Sequence, residues 1–234
     1  TPAQTADLSA TLASQQYALD AEGNIVQTTR SLPLDPAPTI APLTLSYDDA
    51  GQISSAGYTF DMRGRQTAAP GRTFTYDGAA RLTSVVSGST TVNLTYNGLN
   101  DLRTRSVGAT TTSYFHNYAL GLAPIEAEAS GAPSGPIWMD AGAASRRLSG
   151  LDAVTYKRFY VYTPGGSLLY SIDRPSNQVR FYHFDRTGST LFLTTGAGDV
   201  SDAYAYDPYG RLLGQTGASD QPFTYVGKYG VRRE

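Results

Sequence analysis

The chain has 234 residues, a formal net charge of -2, 40% hydrophobic and 16% charged residues, 17 Tyr and no Cys. Charged residues fall well below the roughly 25% usual in globular proteins, and Gly, Thr, Ser and Tyr make up the difference, which favours strands and turns over helices. The composition excludes disulfides, thiolate metal sites and thiol nucleophiles; near-neutral charge argues against a nucleic-acid partner; and no stretch nears the ~18 apolar residues of a transmembrane helix.

The start, TPAQTADLSA, lacks Met, a basic leader and an apolar run, so a mature product or a fragment of a longer chain is expected. Residues 1–44 read as an N-terminal segment with one degenerate repeat, LDAEGNI from Leu19, and a proline-rich linker, Ser31 to Pro42. Residues 45–118 form a block built on aromatic-Asp-x-x-Gly-x-apolar, numbered here as positions one to seven. Its copies are YDDAGQI (Tyr47, Asp48, Gly51), FDMRGRQ (Phe60, Asp61, Gly64) and YDGAARL (Tyr76, Asp77, with Ala80 for Gly). YNGLNDL from Tyr96 uses Asn97 and Asn100, and HNYALGL from His116 is a degenerate candidate.

Residues 119–155 are an Ala/Gly/Pro-rich insertion, in which Leu122 to Ala144 reads as a loop with one short strand at Ile137 to Met139. The motif resumes in 156–234. There it appears as YTPGGSL (Tyr162, Gly166, with Thr163 for Asp), FDRTGST (Phe184, Asp185, Gly188) and YDPYGRL (Tyr206, Asp207, Gly210).

Two positions before the aromatic stand Tyr58, Phe74, Leu94, Tyr114, Tyr160, Tyr182 and Tyr204. Residues i and i+2 share a face of a strand, so each unit enters as a strand with two bulky side chains on one side. Asp can bond its own backbone two residues on, Gly supplies a positive φ, and the apolar residue after Gly starts the return strand. Each unit is a hairpin. A lone hairpin is marginal in water, so successive ones must join edge to edge. The expected fold is all-β: antiparallel hairpin repeats forming one continuous curved or spiralling sheet.

With the motif in place, the sequence resembles the YD-repeat family. The segment from Phe181 to Gly217, followed by PFTYVGKYG from Pro222, is similar to the opening of the Rhs core. The resemblance implies a β-sheet strip that spirals into a hollow shell, secreted or at the cell surface and of bacterial origin. It also implies partners: other YD-repeat segments, or a C-terminal toxin or effector domain. Relatives include polymorphic toxins, the shell component of insecticidal toxin complexes and teneurin-like adhesion proteins. In the family's toxins an aspartyl self-cleavage motif lies at the end of the core, and the chain is expected to stop at Glu234 before that region; Asp207-Pro208-Tyr209-Gly210 sits in an ordinary repeat and is not assigned to it.

Site by site, the structural reading is preferred. Asp48, Asp61, Asp77, Asp185 and Asp207 recur at equivalent turns, which turn geometry explains better than catalysis. His116 and His183 have no metal-ligand spacing, so no metal and no cofactor is expected. TPGGS at Thr163 and TGAGD at Thr195 fit no phosphate loop and read as turns, and there is no GxSxG elbow. The pairs Arg146-Arg147 and Arg232-Arg233 read as solvated or as loops open to proteolysis. The expected role is that of a non-enzymatic shell segment, with self-association through exposed sheet edges. The alternatives are an adhesion or glycan-binding module using the aromatics, and a hydrolase using repeat-borne carboxylates.

Overall fold

The computed structural model describes residues 11–34, 44–120, 123–132, 138–139, 148–149, 154–207 and 209–233. Calls that rest on Pro42, Ile137, Arg146, Arg147 or Pro208 lie outside the described residues. Eighteen strands and one 3-10 turn, Gly227–Tyr229, account for the regular structure among them. The strands are β1 (Ser14–Leu19), β2 (Ile25–Ser31), β3 (Thr59–Phe60), β4 (Gln66–Ala69), β5 (Arg72–Tyr76) and β6 (Leu82–Ser87). They continue with β7 (Thr90–Tyr96), β8 (Leu102–Val107), β9 (Thr110–His116), β10 (Ile125–Ser130), β11 (Trp138–Met139) and β12 (Leu148–Ser149). Last come β13 (Thr155–Tyr162), β14 (Leu168–Asp173), β15 (Val179–Phe184), β16 (Thr190–Thr195), β17 (Val200–Tyr206) and β18 (Leu212–Thr216).

Fourteen of these form one sheet in the order β18-β17-β16-β15-β14-β13-β10-β9-β8-β7-β6-β5-β4-β3. Neighbours in sequence are neighbours in space apart from the step from β10 to β13, as expected of hairpins laid side by side. β1 pairs with β2, and β11 with β12, in two separate ribbons. Contacts divide the chain into two compact units, one of Ala41–Asn117 with Ile125–Arg158, the other of Thr1–Ile40, Tyr118–Pro124 and Phe159–Glu234.

In the first unit the period-two pattern sorts side chains by face. Along β7, Thr91, Asn93 and Thr95 are exposed while Leu94 is buried between them. Hydroxyls pair across strands on the polar side, Thr59 with Thr67, Thr95 with Thr104 and Ser106 with Thr111. Such cross-strand pairs each stabilise the ladder modestly. The residue two before the aromatic is the deeper of the two, as in Leu94 and Tyr114.

The second unit has the drier core. Leu193 and Phe223 are fully buried, and Tyr160, Tyr182, Tyr204, Leu168 and Phe192 nearly so. Rings two residues apart stack along one strand, Tyr182 on Phe184 at 6.0 Å and Tyr204 on Tyr206 at 6.5 Å.

Three sequence expectations need correction. Ile125–Ser130, read as loop, is a full strand of the main sheet, with Ala127 and Ala129 buried. Its alternation of Ala with Glu is a strand pattern written in small residues, too weakly apolar to stand out. Tyr47 to Ile53 has the repeat's turn but makes only a single bridge, Tyr47 to Ile53, rather than a hairpin. The His116 copy places the ring as its siblings do, but its return strand begins at Ile125, three residues later than in YDGAARL or YNGLNDL.

One feature recurs that periodicity does not announce. Position one pairs with position seven, and the preceding residue pairs with position nine, so position eight bulges out. The pattern holds at Val26, Thr67, Thr83, Arg103, Leu191 and Leu213. A bulge on the return strand of these six units adds local right-handed twist.

Burial decides what a truncation costs. Leu193→Ala is expected to lower unfolding free energy by about 2–5 kcal/mol, while Leu99→Ala, at 70% exposure, stays within about 0.5 kcal/mol. Urea denaturation of both variants measures the difference.

Candidate functional site

The repeated turn is the motif's chemical centre. In eight units the amide of position two donates to the carbonyl of position six, and the amide of position five donates back to position two. These units carry Asp20, Asp48, Asp61, Asp77, Asn97, Thr163, Asp185 and Asp207 at position two. In six of them the side chain there then accepts the amides of positions four and six; Thr163 takes that of position six alone, and Asp185 takes the Ser189 amide with the Thr187 hydroxyl. Asp48 Oδ1 takes Ala50 and Gln52, Asp61 takes Arg63 and Arg65, Asp77 takes Ala79 and Arg81, and Asp207 takes Tyr209 and Arg211, all at 2.8–3.0 Å. Asn97 does the same with a neutral amide oxygen at 2.9 Å. Position five is left-handed throughout, including the two non-glycine cases Ala80 (φ 65°) and Asn100 (φ 76°).

TGAGD at Thr195 belongs to the same class. Thr195 donates its amide to Asp199, accepts from Gly198, and takes the Ala197 amide on its hydroxyl at 3.2 Å. Thr194 pairs with Val200 across a bulge, so this is a further unit with Thr in both leading positions. The signal was present: Thr163 already shows that a hydroxyl serves at position two.

Adjacent units are stitched by the position-one ring. Its polar tip donates to the carbonyl at position seven of the preceding unit: Tyr76 to Gln66 (2.9 Å), Tyr96 to Leu82 (2.7 Å) and Tyr206 to Thr190 (3.0 Å). His116 fills the same slot, its Nε2–H reaching Leu102 O at 2.9 Å. Arginine at position six adds a second stitch. Arg65 and Arg81 pair through Nε with Asp61 and Asp77 at 2.7 Å, and lie 4.8 and 5.1 Å from the ring centres of Tyr76 and Tyr96 in the next unit.

These carboxylates are held ionised. The Arg65 guanidinium hydrogen bond lowers Asp61 below the usual range, and the Arg81 amide does so first for Asp77. At Asp207 partial desolvation pulls upward but is outweighed by the amides and charge around Arg211. His183 stacks on Phe192 at 4.4 Å, bonds Thr194 Oγ1 at 3.0 Å, and is lowered by burial. Among the described residues no three His, Asp or Glu side chains gather as a metal site.

A second element, which the repeat pattern did not disclose, is the C-terminal segment. Phe223 meets Tyr160 edge-on at 4.8 Å, and Thr190 donates its hydroxyl to Phe223 O and its amide to Thr224 O. Val226 N donates to Ser189 Oγ at 3.0 Å, and Lys228 N to Gly188 O at 3.0 Å. Two repeat glycines exist in contact with this segment. A Cβ on Gly188 would lie 2.5 Å from the Tyr229 ring, and one on Gly210 would lie 2.5 Å from the Tyr225 ring. Arg233 is tied in through its amide to Pro222 O at 2.9 Å and its side chain to Gln215, not simply solvated.

Compared with known proteins, no family model matches the chain, and no curated protein does. Among solved structures it is similar to a crystal structure of TcdB2-TccC3, at 13% identity and a TM-score of 0.43, over 95% of this chain and 11% of that one. It is also similar to the Photorhabdus luminescens Tc holotoxin pore with a substituted TccC3, at 14% identity and a TM-score of 0.39, over 92% of this chain and 14% of that one. The chain therefore spans between a tenth and a seventh of the length of those proteins.

Two outcomes follow from the turn and the seal. Asp77 has a folded pKa below its unfolded value near ~3.9, so its contribution is complete above about pH 4 and disappears as pH falls through the folded value. Asp77→Asn keeps the turn, as Asn97 does, and is expected to flatten the acid limb of urea midpoints measured from pH 5 to 2. Gly210→Ala displaces Tyr225 as well as straining φ, whereas Gly51→Ala strains φ in open space. Trypsin cleavage at Lys228 is expected to accelerate about fivefold or more in the first variant, and to be unchanged in the second.

Proposed function

We propose that the chain is a non-enzymatic wall segment of a YD-repeat shell, and that the intact protein encloses or presents a C-terminal toxin or effector domain. The observation that carries this reading is the unbroken antiparallel order of the fourteen-stranded sheet, whose outermost strands are β3 and β18. A wall works by leaving no gap in its hydrogen-bonded ladder, and edges are the places where such a ladder admits another chain. The position-two side chains support the same role. Each turns one oxygen to its own turn, and Asp61, Asp77 and Asp207 spend the other on an arginine four residues on. Carboxylates so occupied are poorly placed to exchange protons with a substrate. Other YD-repeat segments are the partners expected at the two edges, with self-association when those edges are free. A secreted or cell-surface setting and bacterial origin rest on the family resemblance alone.

A glycan-binding role is the second reading, favoured by one surface feature. Phe181, 40% exposed, packs beside Tyr170 at 5.5 Å between ring centres. Aromatic pairs of this kind can stack on sugar faces. Glycan-array binding lost in Phe181→Ala would support it over the shell.

The shell reading is tested on the full-length protein by limited trypsin digestion. The domain following the repeats is expected to stay intact until the sheet is denatured, and Leu193→Ala is expected to expose it at lower urea. Cleavage of that domain at the same rate with the sheet folded or unfolded would contradict enclosure.

A further inference from the structure

Position six is arginine in three units, at Arg65, Arg81 and Arg211; in the Phe184 unit it is Ser189, and that unit borders a cavity. In the Phe184 unit, Asp185 keeps the standard turn: Oδ1 accepts the Ser189 amide at 2.9 Å and the Thr187 hydroxyl at 2.7 Å. Position six is Ser189, 1% exposed, whose hydroxyl is engaged by the Val226 amide. Asp185 Oδ2 consequently accepts no hydrogen bond from a described residue, whereas Oδ2 of Asp61, Asp77 and Asp207 each holds its arginine. The ring at the place matching Tyr76 and Tyr96 is Tyr206, with its hydroxyl on Thr190 O and the Tyr204 and Tyr225 rings beside it at 6.5 and 5.8 Å. Asp185 and Tyr206 both line a cavity of about 380 Å³, together with Tyr204, Leu191, Tyr225 and Arg30.

We propose that this cavity is a guanidinium site, which receives an arginine side chain from a protein partner. The chain itself supplies the template. Arg65 and Arg81 show what this constellation holds: a carboxylate Oδ2 for Nε–H, a tyrosine face for the guanidinium plane, and a backbone carbonyl for the remaining N–H. Planarity matters, because stacking and forked donation are combined, and an ammonium provides neither. The aliphatic stem of the incoming arginine would lie against Leu191. Arg30 stands on the wall supplied by the N-terminal segment, is exposed, and makes no ion pair among the described residues, so it does not neutralise Asp185. Asp207 is already paired with Arg211 at 3.1 Å, which leaves Asp185 as the anionic group open to a ligand.

The probe is N-acetyl-arginine-amide, titrated into the chain and followed by amide shifts in two-dimensional NMR. Saturable shifts are expected at residues 185–189 and at Tyr206, with N-acetyl-lysine-amide binding at least several-fold more weakly. Asp185→Asn keeps the turn, on the precedent of Asn97, and is expected to weaken binding about tenfold; Asp77→Asn is expected to leave it unchanged. An unaltered affinity in Asp185→Asn, equal response to the lysine probe, or no saturable shift would each overturn the proposal. Tighter binding of free L-arginine than of the blocked amide would overturn the protein-partner part, because it would point to a small-molecule ligand.

Discussion

The fold rests on a five-residue reversal in which one side-chain oxygen accepts two backbone amides. A chain that turns back this tightly leaves the amides of positions four and six pointing into the bend, where neither strand can use them. In the eight units an oxygen at position two takes one or both of these amides. Once the acceptor is there, position one faces position seven and register is settled locally. The bulge at position eight follows, and with it the direction in which the position-one ring points. That direction brings the ring tip to the carbonyl of the preceding unit. A local hydrogen-bond requirement thereby sets how hairpins join.

The substitutions that units tolerate reveal which property each position requires. Asn97, Thr163 and Thr195 serve at position two, so an oxygen is required there and a charge is not. Where position six is arginine, as at Arg65 and Arg81, it links the Asp of the turn to the neighbouring ring. His116 serves at position one because an N–H at the ring edge can replace a phenolic O–H. Ala80 and Asn100 hold a left-handed conformation that glycine would adopt freely. The backbone there is overruled by the hydrogen bonds on either side of it.

How much of this was legible in the sequence depends on whether a feature is written in residue type or in register. The aromatic, the acceptor and the left-handed residue are types, and Tyr76-Asp77 or Tyr206-Asp207 announce themselves. The position-eight bulge is a matter of count: Thr83, Arg103 and Leu191 share no chemistry, so nothing marks them. Ile125–Ser130 was missed because Ala127 and Ala129 alternate with Glu126 and Glu128, and the burial of Ala127, Glu128 and Ala129 is seen only once neighbours close over them. The Thr195 unit was hidden by reading its glycines as a generic turn. The ring-to-carbonyl stitch needs the register of two units at once, and a single motif cannot supply it.

The C-terminal segment is best understood as a repeat that starts and then departs. Phe223 and Tyr225 are spaced as Tyr204 and Tyr206 are, and Phe223 is buried as Tyr204 is. The next residue is Val226, which has no side-chain acceptor and takes a left-handed φ of 53°. The position-five amide still donates back, Tyr229 N to Val226 O at 3.2 Å, but the chain takes a 3-10 turn at Gly227–Tyr229. That turn lays Tyr229 on Gly188 and the Lys228 amide on Gly188 O, over the unit whose position six is Ser189. The Ser189 hydroxyl there accepts the Val226 amide. The departure at Val226 and the serine at 189 thus meet in one contact, where a unit gives up its own pattern to receive a neighbouring segment.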